Sequence, residues 1–90
     1  MEITTAGLAL RHVTANQCIQ IPGAPNALTA RLIERYGFEA MYLSGAAFSA
    51  GELALPDVGL FTLTELVDQA KRLTATANIP LIVDADTGFG

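Results

Sequence analysis

A short apolar run, Ile79-Pro80-Leu81-Ile82-Val83, leads directly into Asp84-Ala85-Asp86-Thr87-Gly88-Phe89-Gly90, and this junction constrains the fold more than any other part of the chain. A run of branched and apolar residues without polar alternation fits a strand covered on both faces, as in parallel sheets. Asp84 and Asp86 then point to the same side, because strand side chains alternate. Two like charges on one face repel, and a hard divalent cation held by carboxylates, waters and substrate oxygens relieves that repulsion. Gly88 and Gly90 allow a sharp turn or a close backbone approach to a ligand. The same residues also suit an ordinary polar turn, so both readings stand.

Upstream, the pattern alternates between helix and strand. Thr5 to Val13 offers Ala6, Leu8, Leu10 and Val13 for an apolar side, which predicts a short leading helix. Cys18-Ile19-Gln20-Ile21, closed by Pro22-Gly23, predicts a first strand. Pro25-Asn26 opens a helix whose Ala27, Leu28, Ala30, Leu32 and Ile33 lead to Gly37, a residue suited to the left-handed position past a helix end. Phe38 to Leu43 predicts a second strand. Thr62 with Glu65 matches a capping box, opening a helix that carries Leu63, Leu66, Val67, Ala70 and Leu73 on one face and stops at Asn78 and Pro80. The third strand follows.

This order predicts an α/β chain with about three parallel strands and intervening helices, joined by right-handed crossovers. Each strand ends in small or polar residues: Pro22 to Asn26, Ser44 to Ala47, and Asp84 to Asp86. In a (β/α)8 barrel those ends share one rim, where active sites are built. A doubly wound open sheet also carries ligands at strand C-terminal ends, and local pattern does not separate the two. The stretch from Ser44 to Phe61 exceeds the usual βα connection of ~2–6 residues and predicts a long functional loop.

Composition limits the function classes. Five scattered bases, Arg11, Arg31, Arg35, Lys71 and Arg72, against nine acids give a net charge of −4. No basic stripe is available for nucleic acid. No uncharged apolar run is long enough to span a bilayer, and the N-terminus lacks a secretory pattern, so the expectation is a cytoplasmic protein without membrane contact. The single cysteine, Cys18, has no partner for an internal disulfide and reads as a small buried apolar group. With 51% hydrophobic and 16% charged residues, the 90-residue chain suggests part of a larger core. Without repeat, linker or composition break, residues 1–90 read as a single incomplete domain.

Taken together, Pro22-Gly-Ala-Pro-Asn26, Ala30-Arg-Leu-Ile33, Gly37-Phe38, Tyr42-Leu-Ser-Gly-Ala46, Leu55-Pro-Asp57, Gly59 and Leu81 to Gly90 resemble the isocitrate lyase/phosphoenolpyruvate mutase superfamily, methylisocitrate lyases above all. The resemblance implies the N-terminal part of a (β/α)8 TIM-type barrel, a homotetramer in the full-length enzyme, and Mg²⁺ with a small carboxylate substrate at the rim. It implies Asp84 and Asp86 as the metal site. Ser44, Gly45 and Ala46 are implied as the substrate-binding turn, with Tyr42 and Asp57 lining the pocket as catalytic residues. Backbone amides after a strand can donate to a carboxylate, and Gly45 is expected to keep a side chain out of that approach. The implied reaction is cleavage of 2-methylisocitrate to pyruvate and succinate. A phosphoenolpyruvate or carboxyphosphonoenolpyruvate mutase, a phosphonopyruvate hydrolase or an oxaloacetate decarboxylase would share every motif.

Residue chemistry alone supplies plainer roles. Tyr42 suits a core position with a satisfied hydroxyl, Asp57 a turn, and Ser44 a helix or turn cap. His12, Glu39 and Glu52 read as solvated surface groups. Two departures stand out. The lyases place their catalytic cysteine in a Lys-Lys-Cys-Gly-His segment beyond the third strand, absent from these residues, and Cys18 does not replace it. Where the family has glycine before Leu55-Pro56-Asp57, this chain has Ala54, which stiffens that loop or changes its turn. Three strands cannot close a barrel, so an inert fragment is the expectation from a different class.

Overall fold

A computed structural model describes residues 5–56 and 61–89. Asp57 and Gly59 lie outside the described residues, as does Gly90. The elements in order are α1 (Ala6–Thr14), α2 (Ala27–Arg35), β1 (Met41–Leu43), α3 (Gly45–Leu53), α4 (Leu63–Thr76) and β2 (Leu81–Val83). The two strands pair in parallel, with Met41 opposite Leu81, Tyr42 opposite Ile82 and Leu43 opposite Val83.

The core lies on one face of this sheet. Met41 and Leu43 are fully buried while Tyr42 between them is half-buried, as alternation requires. Against that face pack Ala30 and Ile33 of α2 and Leu66 and Leu73 of α4. Asn26 caps α2, its Oδ1 accepting from the Thr29 amide at 3.0 Å. The helix stops as its sequence dictates. Gly37 takes φ +86, its amide donates to the Glu34 carbonyl, and the Phe38 amide donates to the Ile33 carbonyl. Those are the two bonds of a Schellman motif, and Phe38 packs on the core beyond it. The capping box of α4 is complete: the Thr62 hydroxyl accepts from the Glu65 amide and Glu65 Oε1 accepts from the Thr62 amide. Gln69, only 2% exposed, donates from Nε2 to the Pro25 carbonyl at 2.6 Å, which satisfies its buried amide and ties α4 to the start of α2.

Four expectations need correction. Cys18 to Ile21 is not a strand, so the sheet has two strands and one further parallel bridge, Gly23 with Tyr42. That bridge consists of the Tyr42 amide donating to the Pro22 carbonyl and the Ala24 amide donating to the Tyr42 carbonyl. The next rung would need an N–H at residue 22, and proline has none. Cys18 is exposed, not buried, because the strand that would have covered it does not form. The long loop after β1 is largely a helix, α3, since Ser44 caps a run of small residues and Phe48 and Ser49 turn inward. Finally, β2 ends at Val83, and Asp86 sits in a turn with φ +51, so strand alternation does not reach it. Helix α1 forms where expected but has no buried residue. His12, Glu39 and Glu52 are exposed, as their sequence settings suggest.

Candidate functional site

The candidate residues gather at the C-terminal ends of the two strands. Tyr42 and Ile82 are in register, so Asp84, two residues beyond Ile82, falls on the Tyr42 side. The ladder reaches that far: the Asp84 amide donates to the Leu43 carbonyl at 3.0 Å. Ser44, still extended at φ −81 and ψ 132, follows Tyr42 by two and shares its side. The opposite side is apolar. A cavity of about 810 Å³ between α1, α4 and β2 is lined by Val83 and Ala85, and Asp84 is not among its walls. This cavity therefore lies away from the polar cluster, and its lining is mostly apolar, with Thr5, Lys71, Thr74 and Asn78 as its polar members.

Ser44 is both strand end and helix cap, its Oγ accepting from the Ala47 amide at 3.3 Å. The amides of Gly45 and Ala46 precede the first intrahelical bond, which the Phe48 amide makes to the Ser44 carbonyl. Two donors at the positive end of a helix dipole are thus available to an anion, and a carboxylate matches them. Gly45 does not clear this approach. A Cβ added there would meet the Phe61 ring at 3.5 Å, an ordinary contact, so it points into an aromatic layer.

The second half of the site is the turn after β2. Asp84 Oδ1 accepts from the Asp86 amide at 2.9 Å, which closes an Asx turn and folds the backbone back. This turn, not strand pleating, sets the relation between the two residues. The Gly88 amide donates to the Ala85 carbonyl at 2.7 Å, and Asp86, Gly88 and Phe89 all have positive φ. Phe89 fixes the turn from outside: its ring lies 5.8 Å from that of Phe61, which meets Phe48 edge to face at 5.1 Å. Sequence reading missed this aromatic anchor, for which the signal was only three phenylalanines near small residues.

Partial burial and the neighbouring Asp84, through its charge and a hydrogen bond, push the Tyr42 phenol above its ordinary value of 10.0. The hydroxyl therefore stays protonated at neutral pH and can donate. Asp84 and Asp86 are exposed carboxylates, and the Asx bond and the Tyr42 hydroxyl leave them oxygen lone pairs to spare. Their donor set suits a hard cation completed by water and substrate oxygens, as Mg²⁺ prefers. Among the described residues no group of three or more His, Cys, Asp or Glu could form an all-protein cage. No helix among them is long and apolar enough to cross a membrane.

Known proteins resemble this chain in sequence and fold. The 2-methylisocitrate lyase of Aeropyrum pernix is 52% identical over 85 residues, covering 93% of this chain and 27% of the relative. A solved 2,3-dimethylmalate lyase, described as a PEP mutase/isocitrate lyase superfamily member, superposes with a TM-score of 0.84 at 34% identity, over 99% of this chain and 32% of its own. A phosphonopyruvate hydrolase solved with oxalate and Mg²⁺ reaches 0.87 at 34% identity, over 97% and 31%. The chain spans about a third of the length of these relatives. The phosphoenolpyruvate phosphomutase family profile matches residues 10–90, and the chain belongs to that family, within a superfamily of lyases and mutases.

Proposed function

We propose that this chain is the N-terminal part of a (β/α)8 barrel that cleaves a carbon–carbon bond in a 2-hydroxy tricarboxylate, with 2-methylisocitrate as substrate and pyruvate and succinate as products. The observation that carries the reading is the convergence of Tyr42, the Ser44-capped start of α3 and the Asp84–Asp86 turn at one edge of a parallel sheet. Residues 1–90 form one incomplete domain, and the homotetramer and cytoplasmic location expected for the whole enzyme belong to this reading. Asp57 is assigned to the pocket on motif alone.

Each residue has a physical task. The Gly45 and Ala46 amides with the Ser44 hydroxyl hold the carboxylate that becomes part of pyruvate. Tyr42 donates a hydrogen bond into the site and orients Asp84. Asp84 and Asp86 would hold Mg²⁺, which when bound neutralises negative charge developing on the substrate oxygens. A base beyond residue 90 takes the proton of the substrate hydroxyl, so that its oxygen forms the carbonyl of pyruvate while the adjacent carbon–carbon bond breaks. The electron pair of that bond stays on the succinate carbon, which takes a proton from an acid outside residues 1–90.

A chimera tests the proposal: residues 1–90 replace the matching segment of the Aeropyrum pernix relative. The expected result is pyruvate release from 2-methylisocitrate that EDTA abolishes and Mg²⁺ restores. A folded chimera without release refutes it. The 90 residues alone are expected to show no turnover. A second reading, hydrolysis or mutase chemistry on a phosphonate, draws on the phosphonopyruvate hydrolase likeness, and release of phosphate from phosphonopyruvate by the same chimera would favour it.

A further inference from the structure

We propose that Ser49 is a positioning residue, a buried latch that fixes the Ala54–Pro56 turn from which the chain enters Asp57. The proposal rests on the reading above, in which the segment after α3 serves the site.

Four bonds converge on this one residue. Ser49 is fully buried within α3. Its carbonyl accepts from the Ala54 amide and, at 2.8 Å, from the Leu55 amide. Its Oγ lies 3.0 Å from both the Leu55 and the Pro56 carbonyl oxygens. A hydroxyl has one proton, so it serves these two carbonyls by sharing or alternation. Among the described residues, every hydrogen bond of residues 54–56 goes to Ser49.

The direction of the hydroxyl separates a latch from ordinary helix packing. Serines and threonines inside helices usually bond back to the carbonyl four residues before. Thr14, Thr74 and Thr76 do so here. Ser49 instead reaches forward by six and seven residues.

The turn it holds is one that the chain disfavours. Ala54 adopts φ 54 and ψ 38, the left-handed region, where a Cβ crowds the neighbouring carbonyl oxygen. Glycine would enter this conformation without that cost. The Ser49 bonds offset it, so the serine and the alanine act as a pair.

Amide exchange by NMR on the full chain tests the pair, with Leu55 reporting the turn and Leu73 the core. Ser49→Ala should speed exchange at Leu55 about tenfold relative to Leu73. Adding Ala54→Gly should return it to within about threefold of the original. Ser49→Cys, which is slightly larger and keeps only a weak donor, should fall between. Unchanged exchange at Leu55, equal acceleration at both amides, or failure of Ala54→Gly to restore the turn would each overturn the proposal. Exchange is read without substrate, so a failed chimera assay leaves this result standing, and a failed latch leaves the lyase reading standing. In an active chimera, Ser49→Ala should lower kcat/KM and Ala54→Gly should recover it; a loss that Ala54→Gly does not recover would refute the positioning role.

Discussion

The segments on the two ends of the sheet turn the chain in different ways. Before β1, the turn out of α2 uses Gly37 at φ +86 and satisfies its carbonyls with both Schellman bonds. After the strands, Gly88 takes one left-handed position at φ +96, but three more fall to Ala54, Asp86 and Phe89, which carry side chains. Glycine makes a turn cheap; a side chain there costs free energy and needs local contacts to hold it. The contacts are present in each case: Ser49 for Ala54, the Asx bond at Asp86, and the Phe61 ring for Phe89. Strain accepted on the side of the polar cluster, and avoided on the other, is what a scaffold with one working end should show.

The largest effect is expected away from that end. Leu73→Ala empties a fully buried position between α4 and the sheet and should cost about 2–5 kcal/mol in urea denaturation. A loss below 1 kcal/mol would mean that the packed face is not the source of stability. Next comes Asp84→Asn, which keeps an acceptor for the Asp86 amide but removes the charge. In the chimera it should reduce Mg²⁺-dependent turnover at least about a hundredfold with little change in denaturation midpoint. Matched losses of stability and turnover would instead make Asp84 a structural residue.

Two glycine exchanges address the comparison directly. Gly37→Ala should destabilise by about 1 kcal/mol, because the turn keeps its positive φ. Ala54→Gly should do the opposite, stabilising by about 0.5 kcal/mol after the added freedom of the unfolded chain is subtracted. Equal signs in the two denaturation curves would erase the distinction between the two ends.

The smallest effect is a titration. With Tyr36→Phe leaving one phenol, the absorbance of tyrosinate in metal-free buffer should place Tyr42 above 10.0, and Asp84→Asn should bring it down partway, since burial remains. A folded-state value above the unfolded one stabilises the protein below pH 10.0, and that contribution is lost as pH rises through the folded value. No downward movement on neutralising Asp84 would separate the two residues.

Much of this was legible in the sequence where one local rule decided the outcome. Asn26, Gly37 and the Thr62–Glu65 pair marked helix ends through short-range hydrogen bonds, and all three are observed. Cys18 to Ile21 misled because its β-rich composition says nothing about Pro22, whose missing N–H stops the ladder. Ser44 to Phe61 reads as a loop because Ser and Gly suggest turns, while the helix over Gly45–Leu53 depends on Phe48 and Ser49 finding a core to enter. At the candidate site, Tyr42, Ser44 and Asp84 stand at or next to the ends of β1 and β2, as the strand pattern suggested. Asp84 and Asp86 are joined by an Asx turn, not set on one side by the strand pleating that their spacing suggested. Phe61 and Phe89 could not be paired from spacing, because their contact is made across the fold.

The link from Gln69 to Pro25 also has a kinetic consequence. It spans 44 residues, as does the bond from the Asn78 amide to Glu34, and the pairing of Met41 with Leu81 spans nearly the same interval. Bringing residues so far apart together carries a loop-closure entropy that rises only slowly with length. Because all three links close overlapping stretches of chain, the search is made once: the first to form leaves the other two nearly local. Folding of this segment should therefore be limited by a single closure of about forty residues, with helix formation on either side fast by comparison.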